Sequence, residues 1–317
     1  MSGGYIGRLA PSPTGALHLG NVRTFMVAWL RARQSGGKVI LRTEDLDHPK
    51  HKVGAAVQAV EDLRWLGLDW DEEYVQSERI SLYAEALDIL RSKGLAYPCV
   101  CSRKDVEVAQ SAPHEGDQLH YPGTCRDRFS SWNDAYRFLN ASSSEGLAAR
   151  NPCWRFRTPD VAHVVFEDGF AGAYSMDVRA QLGDFPLARD ERGAGYTLAV
   201  VVDDAAMGVT EVVRGDDLLP ATPQQLLLYR ALGLKEPNFF HVPLVVGPDG
   251  RRLAKRHGDT RIASFREEGM KAEDVIGYLA WSLGVNPGKN PISLAALTGI
   301  FDPALILHEP LVFEGIV

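Results

Sequence analysis

A lone histidine, His18, sits in the stretch APSPTGALHLGNVRT, residues 10–24, between a proline-rich turn and the start of an amphipathic helix. Pro11 and Pro13 fix φ and stiffen the turn. Gly15 permits a bend that side chains resist. Gly20, in the first helical turn, leaves space for a flat or phosphorylated ligand to approach the backbone. The helix N-terminus offers unpaired N–H groups and a partial positive charge, both suited to phosphate, and His18 can donate to a phosphoryl oxygen. A single histidine near a helix start is more often structural. The stretch fits neither G-x-x-x-x-G-K-[ST] nor G-x-G-x-x-G, so a phosphate site here is of another kind. Far along the chain, GRRLAKRHGD offers the matching cation in Lys255, between Gly250 and Gly258. The bland alternative is a basic surface turn.

A second group of side chains is rich in sulfur. YPCVCS and HYPGTC supply Cys99, Cys101 and Cys125, three thiolates towards a tetrahedral Zn²⁺ site. The spacing departs from the usual C-x₂₋₄-C, and His120, His114 and Cys153 are each chemically able to complete the set. The alternative is three buried free thiols.

These groups need a frame. GYIGRLA reads as a strand, and NVRTFMVAWLRARQ as a helix with Val22, Phe25, Met26, Trp29 and Leu30 on one face. KVILRTED reads as a second strand, followed by a helix through Val53, Val57, Val60, Leu63 and Leu66. This alternation over residues 1–96 predicts a parallel α/β sheet. Residues 97–183 change texture and read as an insertion, with β-like pieces CWRFRT and HVVFEDG. Alternation resumes over 184–258, from FPLARD to HVPLVVG, and 259–317 reads as helical, EDVIGYLAWSLG being the clearest amphipathic segment. Open α/β sheets bind ligands beyond the carboxyl ends of their strands. The opening stretch, Glu44 after VILRT and the RRLAKRHGD loop are therefore expected to converge.

Composition sets outer bounds. An apolar fraction of 45% and a charged fraction of 24% are ordinary for a globular protein, and the length accommodates two or three domains. No apolar run approaches the ~20 residues of a membrane span. MSGGYIGRLA lacks the regions of a signal peptide, which makes the cytoplasm the default expectation. A net charge of -7 argues against general affinity for nucleic acid, while CSRK, CRDR and GRRLAKRHG leave room for a local basic path.

HLGN together with LAKRH resembles the paired signature motifs of class I aminoacyl-tRNA synthetases. GRLAPSPTGALHLGNVRT, RTEDLD, YTLAVVVDD, VVRGDDLL and LAKRHG, in that order, resemble the glutamyl branch over nearly the whole chain. Asn21 departs from the general signature, standing in place of its second histidine, and Ala254 stands where serine is common. With Lys255 retained, weaker loop hydrogen bonding is expected rather than loss of activity.

The resemblance implies a class I Rossmann-type catalytic domain, an inserted zinc-binding α+β subdomain and a helical C-terminal segment. It implies ATP with Mg²⁺ as a substrate complex and activation of L-glutamate to an adenylate. His18 and Lys255 would be catalytic and, with Gly20 and Asn21, would bind ATP. Arg8 and Arg214 would hold carboxylate, which the planar guanidinium fork suits. Leu9, Ala10, Pro11 and Ser12 would line the same pocket, Glu44 would take the ammonium group and the Tyr196 hydroxyl would complete it. An arginine chosen at random is more often a surface ion pair. Tyr121 is implied as the fourth ligand of one structural Zn²⁺, beside Cys99, Cys101 and Cys125.

The chain ends at residue 317, soon after Lys255. That length, AVVVDD and the three-cysteine insertion resemble the short paralogues of the glutamyl branch, which have no anticodon-binding domain. Those attach glutamate to the queuosine base at the wobble position of tRNA(Asp). A loop base can be read by stacking and edge hydrogen bonds, and the cyclopentenediol of queuosine presents a hydroxyl as a terminal ribose does. The implied partners are L-glutamate, ATP and tRNA(Asp) carrying queuosine, with no membrane, and the protein is expected to be a monomer. Two alternatives stand beside this: a compact enzyme charging a tRNA 3′ end, and a non-catalytic RNA-binding paralogue. The latter predicts losses at the signatures, yet His18, Gly20 and Lys255 are all present.

Overall fold

The structure, a computed structural model, describes residues 4–46, 52–109, 119–141, 150–191, 193–251, 253 and 259–316. β1 (Ile6–Leu9) passes through the proline turn into α1 (Leu19–Gln34), and β2 (Lys38–Thr43) returns parallel to β1, with Arg8 opposite Ile40. α2 (Ala55–Trp65) leads to β3 (Glu72–Val75), parallel to β2, and α3 (Ile80–Ser92) follows. Next come β4 (Ala96–Cys99), α4 (Arg103–Ala109), α5 (Trp132–Asn140) and β5 (Cys153–Phe156). A hairpin of β6 (His163–Asp168) and β7 (Gly172–Asp177), the short α6 (Val178–Gln181) and β8 (Phe185–Ala188) complete this group.

The chain then forms α7 (Tyr196–Ala206), β9 (Glu211–Gly215), α8 (Thr222–Leu232), β10 (Asn238–Val242) and the two-residue β11 (Val245–Val246). α9 (Ile262–Glu267), α10 (Ala272–Ser282), α11 (Leu294–Ile300) and β12 (Leu311–Val312) close it.

The catalytic-type layer is parallel, as the alternation predicts. β1, β2 and β3 form one sheet, and β9, β10, β6 and β7 lie side by side in another, with only the β6–β7 pair antiparallel. β9 runs along the remaining edge of β1. Thr210 N donates to Ile6 O at 2.9 Å, and Arg8 Nη1 donates to the Val213 carbonyl at 2.9 Å. β2 is buried from Val39 to Thr43, as befits a strand covered on both faces. α1 buries Leu19, Val22, Met26 and Leu30 completely. Each such side chain contributes about 1.5–3 kcal/mol relative to exposure.

Three expectations change in detail. Val53 and Val57 are exposed, while Leu63 and Leu66 are buried as expected, with Val60 packed against the core and Ala55 and Ala59 in the place of the two valines. FPLARD does not extend the parallel alternation: β8 pairs antiparallel with β5, which pairs antiparallel with β4. The third concerns EDVIGYLAWSLG. It forms α10, but Val275 to Ala280 are buried without a break, so the helix is enclosed rather than amphipathic.

Candidate active site

The turn after β1 is held by the loop after β2. Glu44 N donates to the Pro11 carbonyl at 3.0 Å, and Lys52 N to the Pro13 carbonyl at 3.0 Å. Pro11 is buried, Ala10 partly buried and Ser12 exposed. His18 takes the N-cap position of α1 in extended conformation (φ -125, ψ 166). Asn21 Oδ1 accepts from His18 N at 3.3 Å, so the asparagine of the first signature caps the helix. Gly20 faces the His18 ring: a Cβ there would lie 3.5 Å from His18 Nδ1 and 3.7 Å from Val245. A methyl would fit, and would narrow the space between His18 and β11.

Described residues on either side of the second signature reach the same place. Lys255, with Ala254 and Gly258, lies outside the described residues. On its near side Leu253 N donates to the Val245 carbonyl at 3.1 Å. On its far side Leu19 N donates to the Thr260 carbonyl at 3.0 Å, and His18 bridges to Arg261.

Beyond the carboxyl ends of β1, β2 and β9 sits a cluster of charged side chains. Arg8 is buried; its Nε makes no hydrogen bond among the described residues and lies 3.5 Å from Asp204 Oδ1. Arg214 is 5% exposed, donating Nε to His241 Nε2 at 2.9 Å and Nη2 to Thr222 Oγ1 at 2.8 Å. Burial, and Arg8 nearby, push the Arg214 guanidinium below its ordinary value. Two guanidinium groups that disfavour each other's charge make a site that an anion relieves. Glu44 is pushed above the usual carboxylate range by burial, against the pull of Arg42 and Arg8. Its Oε1 accepts from Arg42 Nη2 at 3.0 Å. Tyr196, at the start of α7, is 43% exposed as a whole. Its hydroxyl is desolvated among Arg214, Glu44 and Arg8, and that burial pushes the phenol up. The fold therefore brings Arg8, Glu44, Tyr196 and Arg214 together.

Several partners were not singled out from sequence. Arg42, fully buried, donates Nη1 to Asp204 at 2.6 Å. Asp203 accepts from Gln76 (2.9 Å), Arg79 (2.7 Å) and Tyr83 (2.8 Å). Behind Arg214, His241 Nδ1 and Asp168 Oδ2 are 2.6 Å apart. The available signal was a polar or charged residue beside an apolar run, as in VILRT, VVVDD and FFHVPL.

The cysteines also converge. The sulfurs of Cys99, Cys101 and Cys125 lie within 4.8 Å of one another, Cys101 and Cys125 at 3.6 Å. The Tyr121 hydroxyl lies 3.3 Å from Cys99 Sγ and 3.9 Å from Cys101 Sγ. Ligand atoms of a tetrahedral zinc centre are separated by roughly 3.5–3.8 Å, given Zn–S of about 2.3 Å and Zn–O of about 2.0 Å. Three thiols and a phenol therefore fit Zn²⁺. Cys153 pairs with Cys99 across β4 and β5, outside that trio. His114 lies outside the described residues. Hydrogen bonds from Cys101, Cys125 and Cys153 favour the Cys99 thiolate, and Arg155 Nε donates to its sulfur at 3.2 Å. Burial, and then the hydrogen bond and charge of Cys99, push the Tyr121 phenol up, and a bound dication would act in the opposite direction.

Residues 6–301 match the family described as "tRNA synthetases class I (E and Q), catalytic domain", and the chain belongs to that family. Among relatives, the glutamyl-Q tRNA(Asp) synthetase of Symbiobacterium thermophilum is 47% identical over 315 residues, which cover 96% of this chain and 94% of that protein. The glutamate–tRNA ligase of Aquifex aeolicus is 40% identical over 311 residues, covering 97% of this chain and 63% of that one. A solved glutamate tRNA ligase from Elizabethkingia meningosepticum, in complex with its amino acid, matches with a TM-score of 0.81 at 26% identity. It covers 98% of this chain and 67% of that one. No helix among the described residues is long and apolar enough to cross a membrane.

Proposed function

We propose that the protein activates L-glutamate with ATP and transfers the glutamyl group to the queuosine base at the wobble position of tRNA(Asp). One observation carries the reading: two buried guanidinium groups, Arg8 and Arg214, gather with the largely buried carboxyl of Glu44 beyond the ends of parallel strands. Such a cluster suits a molecule that is both anionic and cationic. Arg214 and Arg8 take carboxylate, with Leu9, Ala10, Pro11 and Ser12 along the same wall. Glu44 takes the ammonium group, and Tyr196 donates its hydroxyl.

An α-carboxylate oxygen attacks the α-phosphorus of ATP, and the bond to pyrophosphate breaks in line. His18 and Lys255 stabilise the charge on the phosphates, with Gly20 and Asn21 setting the helix end behind them. Mg²⁺ neutralises the same phosphates. A hydroxyl of the queuosine cyclopentenediol then attacks the glutamyl carbonyl. AMP leaves, and the hydroxyl proton passes to the departing phosphate.

Residues 1–96 and 184–258 would be the two halves of the catalytic domain, 97–183 the inserted subdomain facing the tRNA and 259–317 a stem-contacting segment. Cys99, Cys101, Cys125 and Tyr121 would hold one structural Zn²⁺. A cytoplasmic monomer fits this reading. The queuosine acceptor is favoured by the match to nearly the whole length of the glutamyl-Q tRNA(Asp) synthetases. Charging of a tRNA 3′ end is the second reading, favoured by 40% identity to a glutamate–tRNA ligase. ATP–pyrophosphate exchange tests the activation step. Glutamate is expected to support exchange and other amino acids are not. No exchange with glutamate, even with tRNA added, contradicts the proposal.

A further inference from the structure

The guanidinium of Arg214 is held from behind by a chain of side chains that crosses three strands. Asp168 is the last residue of β6, His241 lies in β10 and Arg214 in β9, and the parallel register sets His241 directly opposite Arg214. Asp168 and His241 are fully or almost fully buried. Arg214 Nε can only donate, so His241 Nε2 must accept at 2.9 Å. His241 Nδ1 then carries the ring proton and donates to Asp168 Oδ2 at 2.6 Å. Asp168 Oδ1 is occupied separately, accepting from Phe170 N (3.0 Å), Ala171 N (2.8 Å) and His241 N (3.2 Å). With Thr222 on Nη2, the inner edge of the guanidinium is fixed. The Nη1 hydrogens and the second on Nη2 lie off this inner edge, where the Tyr196 hydroxyl also meets the guanidinium, and they supply the end-on fork that a carboxylate requires.

We propose that Asp168 and His241 are positioning residues for glutamate recognition: Asp168 fixes the tautomer of His241, and His241 fixes the orientation of the Arg214 fork. The proposal rests on the reading of Arg214 as a glutamate-binding residue. It makes β6, a strand of the segment read as an insertion, part of the amino-acid pocket. His241 stays neutral in this chain: burial lowers it, against the pull of Asp168.

Asp168→Asn tests the chain with little change of shape. The three backbone N–H groups hold the amide oxygen of Asn in the place of Oδ1, so its NH₂ faces His241 Nδ1. The imidazole must then accept at Nδ1 and carry its proton on Nε2, against the Arg214 Nε–H. Glutamate KM in ATP–pyrophosphate exchange is expected to rise about 10- to 100-fold, the effect of one misdirected buried donor on a charged group. KM for ATP is expected to stay within about twofold, as no ATP contact changes.

His241→Gln supplies the second arm, because its amide oxygen reaches the place of Nε2 and has no ring to pass on a tautomer. In that background, adding Asp168→Asn is expected to raise glutamate KM less than about threefold. An equal rise in both backgrounds, or a parallel rise in KM for ATP, overturns the proposal and leaves Asp168 as a brace for the turn at residues 168–171. Arg214→Ala is assayed alongside. If it keeps full glutamate activation, the placement of the pocket fails; if it loses activation while Asp168→Asn does not, only the positioning chain fails.

Discussion

Removing the Arg214 guanidinium is the sharpest perturbation of the pocket. The residue is 5% exposed, and Nε and Nη2 are already engaged by His241 and Thr222, so little ordering remains when a carboxylate binds. A hydrogen bond to a charged group contributes about 1.5–3 kcal/mol, so two parallel bonds to carboxylate, being less than fully additive, contribute about 3–5 kcal/mol. At about 1.4 kcal/mol per tenfold, Arg214→Ala should lower kcat/KM for glutamate by roughly 100- to 3,000-fold. Arg214→Lys keeps the charge but cannot span His241, Thr222 and a bidentate carboxylate at once, and should recover only about tenfold of that loss. The assay is ATP–pyrophosphate exchange over a range of glutamate concentrations, with thermal melting to show that the variants fold. A loss below about fivefold in Arg214→Ala, with unchanged melting, would falsify the assignment of Arg214 to a substrate carboxylate.

Three further outcomes follow from the same geometry. Asp204→Ala leaves Arg8 and Arg42 buried without the carboxylate they share, and should cost about 3–5 kcal/mol in urea unfolding; a cost below about 1 kcal/mol would mean that Asp203 and Glu44 suffice. Burial holds His241 below its ordinary value of 6.5, so the unfolded chain gains this proton first as pH falls. Stability should therefore decline below about pH 6.5 and level off beneath the folded value. The groups acting on the ring are Asp168 from β6, Arg214 from β9, Thr222 from α8 and the charge of Arg8 from β1. His241→Gln should flatten that part of the profile, and an unchanged slope would assign it to another group. Finally, purified protein should carry about one zinc per chain by atomic absorption, and Cys101→Ser should lose it. Retention of full zinc by that variant would move the metal elsewhere.

The pocket's outer parts were legible because each carries a local signal. The prolines and glycines around His18, the apolar run before Glu44 and the periodicity of α1 all lie within a few residues of what they position. The C-x-C pair and Cys125 were likewise visible, and the fold brings their sulfurs together. Asp168 and His241 escaped because they are far apart in sequence and distant from Arg214, and only the β6–β10–β9 register makes them neighbours. The strand FPLARD was recognisable as a strand, but alternation carries no information about partner direction, and β8 pairs antiparallel. Only the start of the α2 face was misread: Leu63 and Leu66 are buried as expected, but Ala55 and Ala59 take the inward positions that Val53 and Val57 suggested. Small residues leave a weaker hydrophobic pattern than valine does.

The account's central claim concerns the acceptor. Labelled glutamate, ATP and the protein should be incubated with two tRNA pools, one containing queuosine and one from cells unable to make it. Label on tRNA(Asp) in the first pool only, surviving removal of the 3′ terminal nucleotide, is the predicted result. Equal labelling of both pools at the 3′ end of tRNA(Glu) would contradict it and make the protein a compact aminoacylating enzyme.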